Sequence, residues 1–216
     1  MTRTRDVPLD PRQSALLFID VQNFTAHRDG AGFGSLTDEE FAIRYGWFFG
    51  ELEKRVIPNM QALQAACRAA GAEVMYTTIE SLTLDGRDRS LDYKITDFHV
   101  PRGSWDGKVI DPLAPEEDEI VLPKTSSSVF ISTNIDYILR NLAVRQLAIS
   151  GLVTDQCVES AVRDACDLGY LVTQVTDACL THSPERQENS LRAIRGYCRQ
   201  ITTADLVAEL RERKDG

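Results

Sequence analysis

No apolar run in the 216 residues exceeds the five of Ala15–Ile19, far short of the roughly 20 that cross a bilayer. The N-terminal MTRTRDVPLDPRQ has no apolar signal-peptide core, so no membrane contact and a cytoplasmic location are expected. Positive charge is in deficit, with 24 Lys and Arg against 33 Asp and Glu and a net charge of −9. A face able to neutralise phosphates is therefore missing, and nucleic acid is not an expected partner. Cysteine is scarce and odd in number: Cys67, Cys157, Cys166, Cys179 and Cys198 form no C-x-x-C pair, which excludes a disulfide framework and a zinc knuckle. Histidine is scarcer, and His27, His99 and His182 stand at no ligand spacing to one another; each reads as a surface or hydrogen-bonded histidine, and no metal is expected. Linkers rich in Pro, Gly and Ser, internal repeats and low-complexity tracts are also missing. What remains, 43% hydrophobic and 26% charged residues, is an ordinary globular composition, and residues 1–216 read as a single domain able to bury its own core.

Short apolar, β-rich runs recur at Ala15–Ile19, Glu73–Ile79, Glu119–Leu122, Gln146–Ser150, Leu171–Val175 and Arg199–Thr202. Each ends in polar residues or glycine, which predicts six buried strands. Between them the apolar positions change to helical spacing. Leu52, Val56, Met60, Leu63, Cys67 and Ala70 keep one stripe, closed by Gly71 as a C-cap. Val158, Ala161, Val162, Ala165 and Leu168 make a second, closed by Gly169. Ser183-Pro184 opens a helix running to about Gly196, and Thr203 caps a last one through Glu209-Leu210. Strands alternating with helices predict a three-layer α/β sandwich around a six-stranded, mainly parallel sheet. Residues 81–115 break the rhythm: they are rich in Asp, Arg, Gly and Pro, with Leu91, Tyr93, Phe98 and Trp105 scattered among them. A loop of this length is expected to be a lid, a binding loop or a subunit contact.

In open α/β sheets ligands bind beyond the carboxyl ends of the strands. Asp20 directly follows ALLFI, Lys124 follows EIVLP, and Cys157 starts the helix that follows QLAIS. Singly these read as a turn cap, a surface charge and a core thiol. Together they supply an acid, an ammonium and a sulfur at strand ends that can meet. A helix start and an ammonium favour a thiolate and a carboxylate accepts its proton, so Cys157 is expected to be an activated nucleophile. Cys67 and Cys166 in helices, Cys179 in a loop and Cys198 beside the last strand read as structural.

Three blocks, ALLFIDVQN, LPKTSSSVF and GLVTDQCVESAVRDACDLGY, resemble the signature segments of the isochorismatase-like cysteine hydrolases, a group that includes nicotinamidases, N-carbamoylsarcosine amidohydrolase, ureidoacrylate amidohydrolase and isochorismatase. The resemblance runs from about Ser14 to Leu210, in the family's order. It implies that Asp20 is the general base, Lys124 the catalytic lysine and Cys157 the nucleophile. It also implies a cis peptide at Leu152-Val153 and an oxyanion hole from the backbone N–H groups of Val153 and Cys157. The implied activity is hydrolysis of a C–N bond in a small amide, carbamoyl or ureido compound through a thioester, with no cofactor, by a homodimer or homotetramer.

The sequence departs from one branch of the family. Nicotinamidases carry an Asp-x-His metal-ligand segment after the second strand, where this chain reads Thr77-Thr78-Ile79-Glu80-Ser81. That argues against nicotinamide as substrate and against a zinc or iron site. Glu80, at the end of the second strand, is expected either to bind a substrate NH2 group or to pair with Arg87 or Arg89. Asn23 as a polar orienter and Phe24 as a wall are expected in the pocket, as is Phe130, with Trp105 either closing the pocket or packing on a neighbouring subunit. The alternatives are a vinyl-ether hydrolase of the isochorismatase kind, disfavoured because those enzymes lack the cysteine, and a non-catalytic scaffold of the same fold.

Overall fold

The computed structural model describes residues 4–214, without the side chains of the last two. Six parallel strands, β1 (Ser14–Ile19), β2 (Glu73–Ile79), β3 (Ile120–Lys124), β4 (Gln146–Leu152), β5 (Leu171–Leu180) and β6 (Arg199–Ile201), form one sheet in the order β3-β2-β1-β4-β5-β6. Chain order runs outward from β1 to β3, then jumps back to the far side of β1. The crevice between β1 and β4 is thus the switch point at which open α/β sheets bind ligands.

Among the described residues nine α-helical segments surround the sheet: α1 (Asn23–Ala26), α2 (Asp38–Glu51), α3 (Ile57–Ala70), α4 (Leu91–Ile95), α5 (Val129–Ser132), α6 (Ile135–Asn141), α7 (Glu159–Asp167), α8 (Pro184–Ile194) and α9 (Thr203–Lys214). Every β1 residue is buried, and alternate side chains serve opposite layers, as strand geometry requires. Leu16 and Phe18 pack in a cluster with α2, α3 and α9; Ala15, Leu17 and Ile19 pack in another with α6, α7 and the end of α8. Among the described residues no helix is long and apolar enough to cross a membrane.

The stripe from Leu52 to Ala70 is helical and ends where expected, at Gly71 with φ +75°. It begins with a π-helical turn, Leu52–Val56, that joins α3 to α2. α2 is not among the helices expected from the sequence, although Thr37 and Glu40 form a reciprocal capping box there. That signal, a Thr followed three residues later by Glu before an apolar stretch, lies in the open sequence. Strand boundaries differ too, β4 running on to Leu152 past the expected Ser150. β5 continues past Val175 to Leu180, so Cys179 is a buried strand residue rather than a loop residue; a register shift between Ile149 and Gly151 lets Gly151 pair with Cys179. β3 includes Pro123, which is tolerated because β3 is an edge strand and one side of it needs no ladder donor.

Residues 81–115 contain α4 and two single 3-10 turns, and they are pinned to the sheet rather than loose. Buried Gln22 donates to the carbonyls of Ile79 and Asp106 at 2.9 and 3.0 Å. The backbone N–H groups of Asn23 and Ile110 bond Lys108 and Val21 carbonyls. The segment is thereby held across the carboxyl end of the sheet.

Candidate active site

Asp20 is the first residue beyond β1, Lys124 the last of β3, and Cys157 lies in a π-helical turn, Thr154–Val158, between β4 and α7. Asp20 sits at φ +53°, an uncommon conformation for a residue with a side chain. Thr77 holds it from two sides. The Asp20 N–H donates to the Thr77 carbonyl at 3.0 Å and lies 3.3 Å from Thr77 Oγ1, while that hydroxyl donates to Asp20 Oδ1 at 2.8 Å. Since Oγ1 accepts from the Asp20 N–H, its own proton is directed to the carboxylate.

Lys124 reaches the same point. Its Nζ donates to the Ser126 carbonyl at 2.8 Å, stands 2.9 Å from Asp20 Oδ2 and 3.5 Å from Cys157 Sγ. Asp20 and Lys124 are fully buried. The contact to Oδ2 is an ion pair off the direction of a good hydrogen bond, which leaves a lone pair of Oδ2 open. Burial opposes the charge on Lys124, but Asp20 and Cys157 outweigh it and hold the ammonium above the ordinary lysine range. Such a pair repays its desolvation only when the geometry is good, and removing one partner strands a buried charge.

Burial pushes the Cys157 thiol up to about 12, with Lys124 opposing and Asp20 reinforcing the rise. Burial thus works against the ammonium and the helix start, and forming the thiolate depends on a carboxylate placed to take the proton. Tyr93 adds a phenol oxygen 4.0 Å from the sulfur.

Gly151 makes the approach of Cys157's segment possible. It pairs with Ile19 across the switch point, at φ +143°, and a Cβ there would lie 2.2 Å from the Ile19 carbonyl oxygen. The following peptide, Leu152-Val153, is cis.

The sulfur opens on a cavity of about 540 Å3, lined among others by Asp20, Phe24, Val153 and Cys157. A larger cleft of about 1320 Å3 lies elsewhere, around Cys166, Tyr197 and Cys198, remote from the three strand-end groups. Of the expected binding residues, Phe24 is on the wall, edge-on to Phe98 with ring centroids 4.7 Å apart. The other three are not brought there. Asn23 donates from Nδ2 to the Trp105 carbonyl at 2.9 Å, so its amide fastens the long loop. Glu80 accepts from the Gly103 N–H at 2.8 Å and does the same, pairing with neither Arg87 nor Arg89. Phe130 lies beside Tyr170, with centroids 6.1 Å apart, because the turn after β3 sends it toward α7. Trp105 stacks edge-on against His27 and is half exposed.

Several wall residues were not expected. Tyr93 and Phe98 come from the long loop, Phe33 and Tyr45 from the segment before α2 and from α2 itself, and His182 from the turn after β5. Only the aromatics of the long loop had any signal in the sequence. His182 is half-buried, and burial together with Arg186 lowers its pKa, which favours the uncharged ring. Among the described residues no group of three or more His, Cys, Asp or Glu side chains is arranged to hold a metal ion.

Comparison with known proteins gives the family and the fold. Residues 14–205 match the isochorismatase domain family model. The fold is similar to that of a cysteine hydrolase from Pseudomonas syringae pv. phaseolicola 1448A, at 24% identity over 95% of this chain and 96% of that chain, TM-score 0.79. It is similar to N-carbamoylsarcosine amidase from Thermoplasma acidophilum, at 23% identity over 88% and 96%, TM-score 0.66. Nicotinamidase from Bacillus subtilis shares 20% identity over 87% of this chain and 98% of that chain, TM-score 0.67.

Proposed function

Because the chain belongs to the isochorismatase family, we propose that it is a metal-independent cysteine amidohydrolase that cleaves a C–N bond of a small amide, carbamoyl or ureido compound. One observation carries this reading: Lys124 Nζ stands 2.9 Å from Asp20 Oδ2 and 3.5 Å from Cys157 Sγ, and Asp20 and Cys157 line a cavity of about 540 Å3. The three residues come from three strand ends, and a fold needing only a stable core has no use for a buried ion pair beside a thiol. Perturbed, coupled groups in a cleft are the usual mark of catalysis.

The steps follow from the arrangement. Asp20 accepts the thiol proton on Oδ2, the oxygen that Thr77 leaves open, while Lys124 stays charged and balances whichever of the two groups is anionic. The nascent Cys157 thiolate attacks the substrate carbonyl carbon. The tetrahedral oxyanion is received by the backbone N–H groups of Val153 and Cys157, each such donor being worth about 100-fold or more in rate. Asp20 returns the proton to the leaving nitrogen, ammonia or an amine departs, and a Cys157 thioester remains. Water, deprotonated by Asp20, then attacks the thioester; the acid is released and the proton restores the thiol. A high thiol pKa suits this cycle, because the proton moves only when the attacking sulfur finds a carbonyl in place.

The test is an ammonia-release screen across amides, carbamoyl amino acids, ureido acids and biuret-like compounds, with Cys157→Ser as the blank. Release that the Cys157→Ser protein does not give is expected for at least one class. Equal background release from both proteins across the panel would reject the proposal in favour of a binding scaffold.

A further inference from the structure

The cavity wall carries two aromatic groups. Tyr93 and Phe98 stack at 4.8 Å beside Phe24, and Phe33 meets Tyr45 at 4.9 Å, with the His182 ring 5.5 Å from Tyr45. Flat apolar faces of this kind favour a flat apolar body through stacking and edge contacts. The charges around the cavity are unfavourable to an anion. Lys124 is already matched by the Asp20 carboxylate and by the Ser126 carbonyl, and the second charged group on the wall is another carboxylate, Asp92. Burial favours the uncharged form of His182, and its Nδ1 has no hydrogen-bond partner among the described residues.

From this, and resting on the hydrolase reading above, we propose that the substrate is an amide with no negative charge of its own, carried on a flat aromatic or similarly planar group. Carbamoyl and ureido acids with a free carboxylate are rejected. A carboxylate moved among these rings loses its hydration and meets no free cation among the described wall residues, the costliest kind of polar burial; near Asp92 it also meets a like charge. An uncharged planar amide loses little on entry and gains the ring contacts.

The experiment separates binding from turnover. The Cys157→Ser protein, which leaves an amide intact, is titrated calorimetrically with benzamide, with 4-carboxybenzamide and with terephthalamide, the uncharged isostere of the second. Terephthalamide is expected to bind like benzamide, and binding as weak as that of 4-carboxybenzamide would show that bulk rather than charge is refused and would overturn the proposal. Benzamide is expected to bind at least about tenfold more tightly than 4-carboxybenzamide. Introducing Asp92→Lys, at an exposed position of the rim, is expected to shrink that ratio several-fold. Equal binding, tighter binding of the carboxylated compound, no detectable binding of benzamide, or a ratio unmoved by Asp92→Lys would overturn the proposal. Ammonia release from benzamide by the unsubstituted protein is measured in parallel. If the binding ratio holds and no amide is turned over, the charge preference of the cavity stands and the hydrolase reading is what fails.

Discussion

Thr77 is the residue on which the proton chemistry turns. With its hydroxyl accepting from the Asp20 N–H and donating to Oδ1, only Oδ2 faces Lys124 and the sulfur. Thr77→Val removes that donor and leaves Oδ1 buried without a partner, at a cost of about 1 to 2 kcal/mol. The expected result is a fall in kcat of roughly tenfold or more with KM nearly unchanged, because the carboxylate that takes the thiol proton is no longer held in place. Thr77→Ser, which restores the hydroxyl, should recover most of the rate. A valine variant that keeps its kcat, or a serine variant no faster than the valine one, would show that Thr77 merely fills space.

At the scale of the elements, the site depends on how closely β4 can lie against β1. Gly151→Ala would drive a Cβ to 2.2 Å from the Ile19 carbonyl oxygen and impose a side chain at φ +143°. Two central strands must separate to relieve this, so a loss of about 3 kcal/mol or more is expected in chemical denaturation, with activity lost even where the fold survives. Unchanged stability would mean that the strand pair is more pliable than its burial implies. The α2 cap is a milder case: exposed Thr37 and Glu40 bond each other's backbone, so the helix that delivers Tyr45 to the cavity is held partly by local chemistry that the sequence displays.

For the whole molecule the buried thiols set the alkaline limit. Cys67, Cys157, Cys179 and Cys198 are each pushed by burial from 9.0 to about 12. Below about pH 9 both folded and unfolded chains keep these protons, and the stabilisation is fully present. Above it the unfolded chain releases protons that the folded one retains, so stability falls by about 1.4 kcal/mol per thiol for each pH unit. Under reducing conditions the free energy of unfolding should drop by an amount on the order of 5 kcal/mol between about pH 8 and about pH 10. A flat profile over that range would contradict the burial of these sulfurs.

The alternation of strands and helices, the caps at Gly71 and Ser183, and the placing of Asp20, Lys124 and Cys157 at strand ends were all legible in the sequence, since each rests on periodicity or on the chemistry of a few adjacent residues; the cap of α9 is Thr202, one residue before the expected Thr203, and its Oγ1 accepts from the Asp205 N–H at 3.3 Å while the Thr203 hydroxyl donates to Asp177. The cavity wall was not. Asn23 and Glu80 are well placed along the chain, yet their hydrogen-bonding groups are taken by Trp105 and Gly103 of the long loop, and which polar group a loop uses is decided only when its path over the sheet is set. Tyr93, Phe98, Tyr45 and His182 meet from segments far apart in sequence, and no local pattern encodes such a meeting. The state of Cys157 belongs to the same class: its type and position are written in the chain, but the ease of removing its proton depends on how much water the folded layers exclude from the sulfur, and that is a property of the tertiary structure alone.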